Sequence, residues 1–151
     1  MKNLYNTLSK QKPKLSFRYA DRKLLYPQKQ DLKENIITLF KKEKKALNSL
    51  TYIFCSDDFL LNINQQFLQH NYYTDIITFC LSEKNEPIEA EAYISIDRVK
   101  DNAKVNNVLF KEELERVVFH GALHLCGYKD KKKDEIKQMR DKENYYLKQR
   151  K

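Results

Sequence analysis

The chain has 151 residues and a formal net charge of +8, from 29 basic and 21 acidic side chains. That length suits one domain with a sizeable apolar core, and 41% hydrophobic residues without a long apolar run exclude a membrane-spanning helix. The three cysteines, Cys55, Cys80 and Cys126, form no Cys-x-x-Cys pair, which argues against a disulfide framework and for small buried thiols in a reducing compartment, the cytoplasm. The opening Met1-Lys2-Asn3-Leu4-Tyr5-Asn6 lacks the apolar stretch of a secretory signal. The basic excess fits a polyanionic partner such as nucleic acid, or a lysine-rich solvated surface.

Residues 1–13 are polar and read as a loose leader ending at Pro13. Leu15 to Tyr19 alternates apolar and polar, as a half-buried strand does. Asp31 with Glu34 resembles a capping box, and Leu32, Ile36, Leu39, Phe40 and Leu47 recur at helical spacing, which predicts a helix over 32–48. Leu50 to Cys55 reads as a strand. Ser56-Asp57-Asp58 then offers a cap and an acidic first turn for a helix carrying Leu60, Ile63 and Phe67. Asp75 to Leu81, rich in β-branched and aromatic residues, predicts a buried strand, and the alternation from Glu91 to Asp97 predicts a fourth, followed by a helix over 98–107. A helix from Lys111 to Cys126 would face the core with Leu114, Val118, Ala122 and Leu125, and a charged helix over 133–149 would pack through Ile136, Met139, Tyr146 and Leu147. The expectation is a single α+β domain: a small mixed sheet of about four strands, about five helices, and a metal site at the end of a central helix.

That site is read from His120-Gly121-Ala122-Leu123-His124-Leu125-Cys126-Gly127-Tyr128-Lys129-Asp130, which holds two of the three histidines and both glycines. Histidines at i and i+4 lie one above the other on a helix and can converge on one ion. Gly127 stands where a helix commonly ends in a left-handed cap, so the chain can turn back and bring Asp130 to the same ion. Two imidazoles and a carboxylate with one position open are the donor set of a catalytic zinc rather than a closed structural one. The run resembles the spacing of metzincin-type proteases. Yet the position directly after the first histidine, where a zinc peptidase carries its glutamate base, is Gly121. Glu113 shares the histidine stripe and either orients a ligand or lies on a solvated face. Lys129, Lys131, Lys132 and Lys133 surround Asp130, a setting that favours a phosphodiester substrate.

The same run is similar to the signature HGxLHLxGYDH of the YbeY-type rRNA maturation factors, metal-dependent single-strand endoribonucleases. Thr74-Asp75-Ile76-Ile77-Thr78-Phe79 resembles that family's PT(D/N)VLSF strand, and Tyr93-Ile94-Ser95 its GDIxIS strand, so the likeness spans roughly residues 50–147. Three departures stand out. Asp130 takes the place of the family's third histidine, which lowers the charge of the site by one and predicts a weaker Lewis acid. Leu68 stands where the family carries an arginine, and Ala90-Glu91 replaces its Gly-Asp pair. His70, near Leu68, reads as a surface loop histidine, and Tyr72 and Tyr73 as packing residues or a platform for unpaired bases.

The resemblance implies a zinc-dependent endoribonuclease that trims single-stranded ends of small-subunit rRNA precursors. One Zn2+ per chain would be held by His120, His124 and Asp130, which would act through its water, with RNA and the small ribosomal subunit as partners. No residue is marked as a general base. The alternatives are a non-catalytic ribosome-assembly or RNA-binding factor with a structural metal and, disfavoured by Gly121, a zinc peptidase.

Overall fold

A computed structural model describes residues 12–151; most of the expected leader lies outside the described residues. Strand β1 (Lys14–Tyr19) leads into helix α1 (Lys29–Lys42), then β2 (Leu47–Cys55), α2 (Asp57–Leu68), β3 (Ile76–Cys80), β4 (Ile88–Ser95), α3 (Ile96–Asn106), α4 (Phe110–Leu125) and α5 (Lys133–Gln149). The described residues form a single α+β domain with one four-stranded mixed sheet in the order β1-β2-β4-β3. β1 and β4 both run parallel to the central β2, and β3 closes the far edge antiparallel to β4.

Several element bounds differ from the sequence expectation, and at two places the local reason is plain. α1 starts at Lys29, with Gln28 at its N-cap and no side-chain cap bond, so Asp31 faces the positive helix end in the first turn instead of forming a capping box. The helix stops at Lys42 because Lys44 turns into the left-handed region, at φ 58°. Leu47, expected in that helix, therefore opens β2, where it is buried. At the other boundary, Ser95 accepts a hydrogen bond from the Arg98 backbone N–H at 3.0 Å. Ser95 thus caps α3, and Ile96 and Asp97 belong to the helix rather than to β4. The Ser56 cap forms as expected, its Oγ accepting from the Phe59 backbone N–H at 3.1 Å.

The core lies between the sheet and the helices. β2 alternates as a half-buried strand should, sending Leu50, Tyr52 and Phe54 inward. α4 packs on both sheet and helices, burying Leu114, Val117, Val118, Phe119, Ala122 and Leu123. Leu125, expected in this core, is only partly buried, and Leu123 takes its place. The Tyr52 hydroxyl, fully enclosed, donates to the Val118 carbonyl at 3.0 Å, so sheet and helix are joined by a bond as well as by packing. α4 also comes unusually close to β3: a Cβ at Gly121 would meet Ile76 Cδ1 at 2.6 Å and Thr78 Cγ2 at 3.4 Å. α5 closes over α4 through Met139 and Tyr146, with Leu147 partly buried, whereas Ile136, expected in the core, is 51% exposed.

Candidate metal centre

The three residues singled out by spacing are brought together. His120 and His124 stand on adjacent turns of α4, ring centroids 4.5 Å apart and planes nearly perpendicular. Asp130 Oδ2 lies 3.2 Å from His120 Nε2 and 3.4 Å from His124 Nε2. One ligand atom from each falls within a 4.8 Å cluster.

Backbone geometry explains the return of Asp130. Gly127 sits at φ +108°, a conformation that costs a residue with a Cβ dearly. Its N–H donates to the His124 carbonyl at 3.0 Å, and the Tyr128 N–H to the Leu123 carbonyl at 3.1 Å. This pair of bonds is a Schellman motif; it satisfies the last carbonyls of α4 while reversing the chain.

Each imidazole is held by its other nitrogen. His124 Nδ1 donates to the Tyr128 carbonyl at 2.9 Å, which can only accept, so Nε2 carries the lone pair. His120 Nδ1 is bonded to Glu143 Oε2 at 2.7 Å. Burial pushes the Glu143 carboxyl up, but hydrogen bonds from His120 and Arg116 outweigh it and hold the group below its ordinary value, as a carboxylate. His120 is subject to the converse pair of effects: burial opposes its charge, while Glu143, Asp75 and Asp130 outweigh burial and raise its pKa.

With both rings neutral and their Nδ1 atoms donating, two Nε2 lone pairs and a carboxylate oxygen would face one another, Asp130 Oδ2 lying 3.2 and 3.4 Å from the two nitrogens. Such an arrangement of donor atoms could hold a cation between them. The donor set, two neutral imidazoles and a carboxylate, fits a divalent transition metal.

Beside these three residues opens a cleft of about 320 Å³, lined by Asp75, Glu113, Arg116, His120, Arg140 and Glu143 among others. Burial raises the carboxyl pKa of both Asp75 and Glu113. The orienting role that the sequence offered to Glu113 is taken by Glu143 instead. Spacing could not reveal that, since Glu143 lies on another helix. A weaker signal was present: Met139, Glu143 and Tyr146 follow each other at i, i+4 and i+7, so a charged residue occupies the buried stripe of α5. His70 takes no part in the site. It is exposed, stacks on Tyr72 with centroids 5.0 Å apart, and exchanges a hydrogen bond with the Tyr72 hydroxyl at 2.9 Å.

Residues 16–151 match the family model described as Endoribonuclease YbeY. Among relatives of that name, one from Cytophaga hutchinsonii is 52% identical over 124 residues, covering 82% of this chain and 87% of the relative. Another, from Flavobacterium psychrophilum, is 50% identical over 106 residues, covering 70% of this chain and 75% of the relative. The solution structure of TM1509 from Thermotoga maritima superposes with a TM-score of 0.63 at 32% identity, covering 87% of each chain. With the motif, the fold and the comparisons in agreement, the chain belongs to the YbeY family of endoribonucleases.

Proposed function

We propose that the chain is a zinc-dependent endoribonuclease that cuts single-stranded stretches of rRNA precursors during small-subunit maturation in the cytoplasm, with one zinc on His120, His124 and Asp130. The observation that supports this most strongly is the meeting of both Nε2 atoms on a single Asp130 oxygen. Zinc in such a set supplies a Lewis acid for a phosphoryl oxygen and lowers the pKa of water. The protein does the rest. Glu143 and the Tyr128 carbonyl hold the two rings so that Nε2 faces inward. Asp75 and Glu113, whose carboxyls burial biases toward the protonated form, are placed to hold or return a proton at the cleft wall. Lys129, Lys131, Lys132 and Lys133, all exposed, supply the positive field that draws in RNA. A peptidase is disfavoured because Gly121 stands where its glutamate base would be.

The test is metal content measured beside cleavage of a single-stranded precursor-rRNA 3′ end. Wild type should carry one zinc and cut, and folded His124→Ala and Asp130→Ala variants should lose metal and cleavage together. A zinc-loaded wild type that cuts no RNA overturns the reading in favour of an assembly factor.

A further inference from the structure

The cleft beside the metal ligands is walled by carboxyls: Asp75, Glu113, Asp130 and Glu143 all line it. A phosphodiester is itself an anion, and such a wall repels it unless a fixed cation faces it as well. Two arginines line the same space, Arg116 and Arg140. Arg116 is committed. Its Nη1 donates to Glu143 Oε1 and its Nη2 to Asn144 Oδ1, both at 2.9 Å, and only 19% of its side chain is exposed.

Arg140 is differently placed. Its side chain is 58% exposed, and its ion pair among the described residues is a 3.4 Å approach of Nη1 to Glu143 Oε1, an oxygen that Arg116 already holds at 2.9 Å. The guanidinium presents five N–H donors in a planar fork, most of which this one contact leaves for a ligand. Its position is well fixed nonetheless. Met139 and Glu143, both buried, anchor the turns of α5 on either side of it, so the Arg140 stem leaves a rigid helix at the edge of the cleft.

We propose that Arg140 is the phosphate anchor of the substrate cleft, its fork engaging a backbone phosphate of single-stranded RNA beside the bond to be cut. This rests on the endoribonuclease reading. The exposed lysines around Asp130 carry compact point charges that would attract RNA without a planar fork to set its register. A planar guanidinium on a packed helix can take two phosphate oxygens at once and fix that register.

The experiment compares wild type, Arg140→Ala and Arg140→Lys, each zinc-loaded, by initial rates on a single-stranded precursor-rRNA 3′ end across a salt series, with metal content assayed in parallel. Arg140→Ala should keep its zinc and raise KM about tenfold, the loss falling on KM more than on kcat. The slope of log affinity against log salt should shrink by about 0.7, the contribution of one phosphate contact on a single strand. Arg140→Lys should restore that slope while leaving KM above wild type, because the charge returns without the fork. An Arg140→Ala variant with wild-type KM and slope overturns the assignment, leaving Arg140 as a counter-charge to Glu143 alone. Loss of zinc in Arg140→Ala also overturns it, by showing that Arg140 acts through Glu143 and His120. If wild type itself neither binds nor cuts RNA, the endoribonuclease reading fails and takes this proposal with it.

Discussion

Glu143 is buried yet charged, and it carries two loads: it neutralises Arg116 and it points His120. Replacing it with glutamine removes the charge that makes Nδ1 a committed donor. Glu143→Gln should weaken zinc binding about 10–100-fold, read by competition with a chromophoric chelator, while the metal-free protein still melts cooperatively. Unchanged zinc affinity would reduce Glu143 to an Arg116 partner. Gly127 makes a different prediction. At φ +108° with open space around it, Gly127→Ala meets no clash but takes on about 1–2 kcal/mol of backbone strain, a fall of about 2–8 °C in Tm. At this scale the clustering of His120, His124 and Asp130 was legible because the i, i+4 spacing and the glycine turn are local. The partner of His120 was not, because 23 residues separate them in sequence and only the tertiary fold joins them.

Among the elements, α1 and α5 meet at one carboxylate. Glu43, the C-cap of α1, accepts from the Tyr128 hydroxyl at 2.6 Å, from Lys142 Nζ at 3.2 Å, and from the Tyr146 hydroxyl. Burial pushes its carboxyl up, but these hydrogen bonds outweigh burial and set it below its ordinary value. A carboxyl lowered by folding contributes stability that is fully present above its unfolded pKa, about 4.3, and is lost as pH falls through the lower folded value. Denaturant midpoints for wild type should therefore drop as acid protonates Glu43, and Glu43→Gln, already weakened at neutral pH, should lose less over the same interval. Parallel curves for the two proteins would show that Glu43 contributes nothing to the acid response. The cap at Ser56 was legible because an acidic first turn follows it, whereas the cap at Ser95 was hidden inside an alternating strand pattern. Backbone alone decided at Lys44, whose left-handed turn carried Leu47 from helix to strand.

For the whole molecule, the α+β class followed from the alternation of strand and helix periods, but the strand order did not. β3 pairs with its sequence neighbour β4, yet β4 inserts beside β2, a non-local choice that no single strand encodes. The net charge of +8 left two readings open, a nucleic-acid field or a solvated surface, and salt separates them. RNA affinity should fall linearly in log–log form, by about 0.7 for each phosphate neutralised, and a slope summing several contacts is the expected result. A flat response would assign the lysines to solvation.

The close approach of α4 to β3 at Gly121 also bears on how such a scaffold can change its chemistry over generations. A Gly-to-Glu codon change at residue 121 would install the base of a zinc peptidase in sequence terms. Its Cβ, however, would land 2.6 Å from Ile76 Cδ1, so the Ile76 side chain would have to turn to another rotamer to admit it. A smaller residue at position 76 would remove the contact altogether. The packing of one glycine against one isoleucine thus places a repacking step beside the His120, His124 and Asp130 cluster in the way of such a change.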